Sequence, residues 1–503
     1  MLSRNQIIAI LAASAAVAAI AISQQSYWID EALSIIIAMT TTPAEALKYA
    51  TAVSGSTLQM PFYHTYLFGW HKVFGQGEWA LRASNLPWLL FGQLGFLIIL
   101  RHRPRLALLS ASLALVSPMI WGYLDEVRPY LMQYASSCWL VAALAYLSME
   151  QDSGSSTRSE RASQTLPLGA LAVAAIILFF TSPLGAIWAV ALLTGLFVIP
   201  RSNNSAFDSK ISIKFILLAA TVAFFYLIIG LYYLWTMTLG GAGYHLAGAT
   251  PLSLPYIAYD LLGFTGFGPG KLEMRTAPLA SLIRSSPNLL PLALCYVVLS
   301  VVFWRRWRSR SERLNRMVVV AWAIAIVLPS LVIFFGLSAA NHRTLPRHFI
   351  PLLPAIILGL SGILISAARG RNLMAKLLAF GLPILWLLSS LLLRVHPVHA
   401  KDDYRQASEV ARSALENSDD VWWVADASAA FVYGVPINLE KVYGSAWGLQ
   451  SPEFATIRFE LPPDILVLSK PDIYDSNGSI KRFLDENNFT EVEKLQGFTI
   501  YTR

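Results

Sequence analysis

Apolar runs long enough for one helical crossing of a bilayer, about 20 residues each, recur along this chain from residue 6 to residue 394. No other feature restricts the fold as much, because backbone groups inside hydrocarbon must be satisfied within a helix or a closed barrel. Of the 503 residues, 55% are hydrophobic and 14% charged, and the apolar ones are gathered into runs rather than alternated with polar ones. That pattern excludes a soluble enzyme and describes an α-helical polytopic membrane protein. Runs near 6–24, 83–100, 106–122, 130–148, 166–181, 183–199, 215–235, 288–304, 317–337, 349–366 and 376–394 predict about eleven spans.

The net charge of +8 would suggest nucleic acid in a soluble protein. Here the Lys and Arg residues sit mostly in short loops between apolar runs, so no nucleic-acid partner is expected. Loops rich in Lys and Arg face the cytoplasm. Arg4, the stretch Arg101 to Arg105, the stretch Arg305 to Arg316 and the stretch Arg369 to Lys376 then fall on that side. The N-terminus is predicted cytoplasmic and the chain beyond about 396 external. The first run has Arg4 before it but no A-x-A site before Gln24, and reads as an uncleaved span rather than a signal peptide. Cys138 and Cys295 lie inside predicted spans, which indicates neither a disulfide framework nor a cysteine metal site. The Ser-rich stretch 149–165 reads as a flexible cytoplasmic connector. Thr181-Ser-Pro183 reads as two short helices meeting at the outer surface or as one broken element.

Two predicted external segments are long. Residues 27–82 contain Met60-Pro-Phe-Tyr-His-Thr-Tyr-Leu-Phe-Gly-Trp-His-Lys72, an aromatic amphipathic stretch suited to the interface. Residues 236–287 are rich in Gly and Pro around Gly263 to Lys271, which suits a lid or a passive connector. From Lys401 the composition becomes that of a soluble domain. A helical pattern covers Asp403 to Leu415, Val421–Val424 and Ile465–Leu468 read as short buried strands, and Ile480 to Asn487 reads as a second helix. The expected organisation is a transmembrane catalytic domain over 1–395 and a small periplasmic α/β domain over 396–503. The sequons at Asn477 and Asn488 read as ordinary turn residues.

Charges on the wrong side of the membrane carry the functional signal. Asp30 and Glu31 follow the first span, Asp125-Glu-Val-Arg-Pro-Tyr130 lies between the third and fourth, and Asn341-His-Arg-Thr-Leu-Pro-Arg-His348 precedes the tenth. Each group alone has a plain explanation. Asp30 could cap a helix beginning at Ala32, Asp125, Glu126 and Arg128 could form a solvated turn with an internal ion pair, and Arg343 and Arg347 could reach headgroups. His342 and His348 read as surface residues. Together, two acidic pairs and a basic cluster at one face suit group transfer from a lipid phosphate, with one carboxylate taking a proton from an acceptor hydroxyl and the arginines stabilising the departing phosphate. No cofactor is required by that chemistry. A divalent metal held by the carboxylates with His64 or His71 is conceivable, but no tight ligand spacing supports it.

These residues also carry a family resemblance. Tyr27-Trp-Ile-Asp-Glu-Ala32, the stretch Met60 to Gly75, Gly77-Glu-Trp-Ala-Leu-Arg82, Asp125 to Tyr130, and Arg347-His-Phe-Ile-Pro-Leu-Leu-Pro-Ala355 together resemble the GT-C membrane glycosyltransferases of the protein mannosyltransferase and aminoarabinose transferase type. The likeness covers the first 150 residues well, 341–366 fairly and the tail in outline. It implies inverting transfer of a sugar from a polyprenyl-phosphate donor to a glycolipid, glycan or protein acceptor at the outer face of a bacterial inner membrane. It implies Asp30 as general base, a second acidic site at Asp125 or Glu126 with Glu31 nearby, and phosphate contacts at Arg347, extended here to Arg343, Arg128 and Lys271. Tyr63, His64 and Arg82 are the expected acceptor or interface residues. Thr181-Ser-Pro183 departs from the family, many of whose members carry His and Tyr there. The competing classes are a transporter or lipid flippase, which would show internal repeats around a midplane site, and an O-antigen ligase or polymerase, which would lack the early Asp-Glu.

Overall fold

The computed structural model describes residues 1–53, 57–150, 165–198, 213–239, 253–309, 327, 330–336, 344–369, 373–438, 444–449 and 462–503. Helix α1 (Arg4–Ala21) opens on a capping box, in which Ser3 Oγ accepts from the Gln6 amide and Gln6 Oε1 accepts from the Ser3 amide. It is followed by α2 (Ile29–Ala38), α3 (Pro43–Val53), α4 (Pro61–Phe74), α5 (Glu78–Arg82), α6 (Asn85–Ile99), α7 (Pro104–Leu115), α8 (Pro118–Leu124) and α9 (Tyr130–Glu150). Then come α10 (Thr165–Thr181), α11 (Pro183–Val198), α12 (Ile213–Thr238), α13 (Ser253–Leu261), α14 (Lys271–Thr276), α15 (Pro278–Ser309), a 3-10 turn at Pro346–Leu352, α16 (Leu353–Ala368) and α17 (Leu373–Val395).

Among the described residues five helices are long and apolar enough to cross a membrane, or six if the bent pair α7 and α8 is one span. Leu166–Thr181, Pro183–Thr194 and Phe380–Val395 are shorter apolar helices. The chain is thus a multi-pass membrane protein. The expected span 317–337 falls largely outside the described residues, as do most of the 149–165 connector and part of the 305–316 basic stretch. The expected single crossing over 106–122 is instead broken, with α7 and α8 meeting at 56°. Pro118 has no amide hydrogen and starts a new helix there. At Thr181-Ser-Pro183 the two-helix alternative is the one adopted. Ser182 accepts from the Gly185 amide and Pro183 supplies the first turn of α11.

Burial ranks the helices. The apolar window of α9 is 89% buried and those of α1 and α15 are 17% buried, so α9 runs through the middle of the bundle while α1 and α15 face its surroundings. Close contact of α9 with α6 depends on a small residue at Gly92. A Cβ there would lie 3.2 Å from the Ala135 Cα, tighter than ordinary helix packing allows.

The chain beyond His396 forms α18 (Tyr404–Glu416), β1 (Val421–Val424), α19 (Ala427–Val432), β2 (Ile437–Asn438), β3 (Ala446–Gly448), β4 (Ile465–Ser469), α20 (Pro471–Tyr474), α21 (Ser479–Glu486), β5 (Thr490–Leu495) and β6 (Phe498–Thr502). The sheet order is β2-β3-β1-β4-β6-β5, parallel from β2 to β4 and antiparallel for the last three strands. Strand side chains alternate between faces. Val421 and Trp423 join one core with α18 and α19, and Trp422 and Val424 join another with Ile480 and Leu484 of α21. The first of these cores also takes in Ala32, and Ile29 packs against it, so an N-terminal helix completes a core that the tail's own elements leave open. At the sequons, Asn477 Oδ1 accepts from the Ser479 amide and Asn488 has φ 58°, as turn residues do.

Candidate active site

Helix α2 begins at Ile29 with Trp28 at its N-cap position, three residues earlier than the expected start at Ala32, so Asp30 is not the cap. Asp30 and Glu31 both lie in its first turn, where a negative charge is favoured by the helix dipole, and Glu31 Oε2 accepts from the Trp28 amide at 3.2 Å. Adjacent residues on a helix diverge by about 100°, and here the two carboxylates part company. Glu31 turns inward and is wholly buried. Asp30 keeps its side chain 25% exposed.

The inward side is an ion-pair network. Arg82 grips Glu31 with two hydrogen bonds, Nε to Oε1 at 3.0 Å and Nη2 to Oε2 at 3.0 Å, the planar fork that Arg and a carboxylate share. Its remaining hydrogens go to the carbonyls of Ser23, Gln25 and Ser26, which stitches the α1–α2 connection to α5. Glu31 also accepts from the Val127 amide at 3.0 Å and from Lys401 Nζ at 3.0 Å. Asp125, buried beside it, accepts from the Ser23 amide at 2.6 Å and from Arg394 Nη1 at 2.7 Å. Burial alone would push both acids up. Arg82 and Lys401 at Glu31, and Lys401, Arg82 and Arg394 at Asp125, outweigh it and hold both below the ordinary carboxylate range.

The outward side is a cationic mouth around Asp30. Arg347 Nη1 meets Asp30 Oδ2 at 2.6 Å, and Arg128 Nη1 donates to the Asp30 carbonyl and to Ser34 Oγ, both at 3.2 Å. Asp30 is burdened by burial, yet Arg128 and Arg347 hold it below the usual range. The guanidinium of Arg347 lies 5.8 Å from the Trp28 ring and Lys271 Nζ lies 5.2 Å from the same ring. Lys271 is exposed and reaches Glu126 Oε1 at 3.3 Å. Asp30, Arg347 and Lys271 therefore stand partly exposed at one opening, the two cations both beside Trp28, with Arg128 and Glu126 buried just behind them. The internal ion pair expected within Asp125 to Arg128 is not formed, since Arg128 turns to α2.

Other expected site residues stand behind this opening. Arg82, Glu31 and Asp125 are buried within the ion-pair network, and Tyr63 and His64 of α4 are buried as well. Burial and the neighbouring Arg128 hold His64 down at about 3, leaving its imidazole neutral. His348 Nδ1 accepts from the Leu345 amide at 3.3 Å. Arg343 and His342 lie outside the described residues. Among the described residues no three of His, Cys, Asp and Glu converge as a metal-ligand set, and Cys138 and Cys295 are both buried.

Three participants escape the sequence reading. In sequence, Arg394 and Lys401 resemble a span-end arginine and a solvated domain-start lysine. Asp260 of α13 accepts from Thr265 Oγ1 at 3.3 Å, and burial pushes it up to about 7 against the pull of Lys271 and Thr265, with Glu126 adding to the rise. It sits in the Gly- and Pro-rich segment, where nothing in local sequence marks it.

No family model matches the chain, and no curated protein matches it in sequence. Among solved structures it is similar to ArnT from Cupriavidus metallidurans, in the apo state at a TM-score of 0.52 with 14% identity over 98% of this chain and 97% of that one. The same protein bound to undecaprenyl phosphate gives a TM-score of 0.51 with 14% identity over 99% of this chain and 98% of that one. A looser likeness, at a TM-score of 0.48 and 14% identity, covers 100% of this chain and 40% of the arabinofuranosyltransferase AftD from Mycobacteria. Along nearly its whole length, membrane helices and tail together, the chain has the fold of the aminoarabinose transferase ArnT, the GT-C fold that its N-terminal motifs resemble.

Proposed function

We propose that this protein is an inverting glycosyltransferase of the bacterial inner membrane. It moves a sugar from a polyprenyl-phosphate donor to an envelope glycolipid, glycan or protein acceptor at the periplasmic face. No cofactor enters the proposal. The observation that carries it is the pairing at the mouth: a partly exposed Asp30 held by Arg347 at 2.6 Å, with Lys271 and Arg128 beside it. That ArnT from Cupriavidus metallidurans, which shares the fold, was solved bound to undecaprenyl phosphate supports a lipid phosphate as the donor class.

In this reading the donor phosphate competes with Asp30 for Arg347. Its arrival draws the guanidinium away, helped by Lys271, and the carboxylate regains the basicity that the ion pair suppresses. Asp30 then takes the acceptor hydroxyl's proton as oxygen attacks the anomeric carbon from the face opposite the phosphate. The C–O bond to phosphate breaks, its electron pair leaves with the phosphate, and the cations neutralise the departing charge. Glu31 and Asp125, locked to Arg82, serve to hold α2 still.

The variant Asp30→Asn tests the assignment. Asn preserves the size and shape of the side chain, so the protein should fold with a normal unfolding temperature while transfer drops by roughly 100- to 10,000-fold, the usual worth of a positioned base. Turnover within a few-fold of wild type would remove Asp30 from the step and leave Glu126 as the acid at the mouth.

A further inference from the structure

Five buried charges meet behind α2: Arg82, Arg394 and Lys401 against Glu31 and Asp125. The two arginines already balance the two carboxylates, so electroneutrality does not require the third cation. Burying a lysine is costly without a specific return, and this one has its side chain only 10% exposed. Lys401 is also the point where the tail begins. Its Nζ donates to Glu31 Oε2 and to the Asp125 carbonyl, and its amide donates to Gln25 Oε1 at 3.1 Å.

The tail holds the same segment at further points. Ser26 Oγ donates to Asp403 Oδ1 at 2.7 Å and accepts from the Arg405 amide at 3.1 Å. Tyr433 stacks on Tyr27 at 6.0 Å between ring centroids, accepts from the Tyr27 amide at 2.7 Å and donates to Glu78 at 3.1 Å. Ala32 is buried in the tail's own core beside Tyr404, Ala429 and Trp423. On the far wall of the mouth, Arg275 of the helix that carries Lys271 forms a two-bonded pair with Asp472 at 2.6 and 2.8 Å.

We propose that the C-terminal domain is a working part of the reaction site, clamping both walls of the mouth, and that Lys401 is the positioning residue that couples it to the helix bearing Asp30. The proposal rests on the glycosyl-transfer reading for its kinetic consequence but not for its physical one. Lys401 touches no reacting atom. It fixes Glu31, one residue along from Asp30, and a rotation of α2 by even a small angle would swing Asp30 away from an acceptor hydroxyl.

Two readouts on the full-length protein in detergent or nanodiscs test this, one of them independent of substrate. Hydrogen exchange of the α2 amides should quicken by about tenfold or more in Lys401→Met, a local opening, with the β1 and β4 amides as protected as in wild type. Lys401→Arg should restore protection. In a transfer assay Lys401→Met should lower kcat by roughly tenfold while the donor KM stays within about twofold, the pattern of lost orientation rather than lost binding. Should Lys401→Met fail to fold, Tyr433→Phe removes two hydrogen bonds at the same junction and should loosen α2 in the same assay. A folded Lys401→Met or Tyr433→Phe protein with wild-type exchange in α2 would overturn the coupling. If no polyprenyl-phosphate donor is turned over by the wild type, the exchange result still decides this proposal while the functional reading fails separately.

Discussion

Asp30 and Glu31 are neighbours in sequence and opposites in environment, and the difference follows from one helical step. Glu31 is fixed by two guanidinium bonds, a lysine and two backbone amides, which leaves its lone pairs occupied. Asp30 has one side-chain partner, Arg347, on the same opening. Arg347→Ala should therefore abolish most transfer with little loss of folded protein. Arg347→Lys should recover only part of it, because an ammonium lacks the planar fork that suits a phosphate. Normal transfer by the Ala variant would reassign the residue to headgroup contact. Asp260 gives a second test at this scale, read as stability. Its carboxyl is held at about 7 against an ordinary 3.8, so the folded protein retains a proton that the unfolded chain releases, and stability from this group is lost as pH rises from about 4 through 7. Lys271, Glu126, Thr265 and Tyr123 face it and are common to both proteins compared. Asp260→Asn should unfold at the same temperature as wild type in acid and at a higher one at pH 8. An unfolding gap that does not widen with pH would mean that Asp260 is ionised throughout.

At the scale of elements, the long apolar runs and the tail's α/β character are legible because each is a local pattern. The helix after Asp403, the strands Val421–Val424 and Ile465–Ser469 and the helix from Ser479 all appear where periodicity predicts them. The bend at Ser117-Pro118 is not, since hydrophobicity runs unbroken through a proline that starts a helix. Nor is the buried network, because Lys401 and Asp125 are brought together only by the tertiary fold. The Gly-rich segment offered two readings, and its packing favours the connector. The Gly266 amide donates to Ser389 Oγ at 3.0 Å, Ser389 Oγ donates to the Gly263 carbonyl at 2.8 Å, and Trp386 Nε1 donates to the Leu262 carbonyl at 3.0 Å. A Cβ at Gly266 would collide with the Ser389 carbonyl oxygen. Gly266→Ala should therefore cost about 3 kcal/mol or more, beyond ordinary overpacking, visible as a lowered unfolding temperature. An unchanged unfolding temperature would show that the segment moves freely enough to act as a lid.

At the scale of the whole molecule, both the acidic residues and the tail belong to one face. Asp125 ends α8 while Arg105 stands at the start of α7, and Arg347 precedes α16 while Arg369 follows it. In the proposed orientation, with the mouth outside, these basic ends are the cytoplasmic ones that the charge rule favours. A reporter fused after Arg503 should register as periplasmic and one inserted near Ser155 as cytoplasmic, and a cytoplasmic tail would move the mouth to the wrong compartment for an envelope acceptor. The mouth is proposed to transfer a sugar rather than to pass a lipid. The direct measurement reconstitutes the purified protein in vesicles with a panel of polyprenyl-phosphate sugars labelled in the sugar, together with envelope acceptors. Label should leave the polyprenyl phosphate and appear on one acceptor with inverted anomeric configuration. Label that stays on its lipid for every donor while that lipid crosses between leaflets would contradict it and identify a flippase.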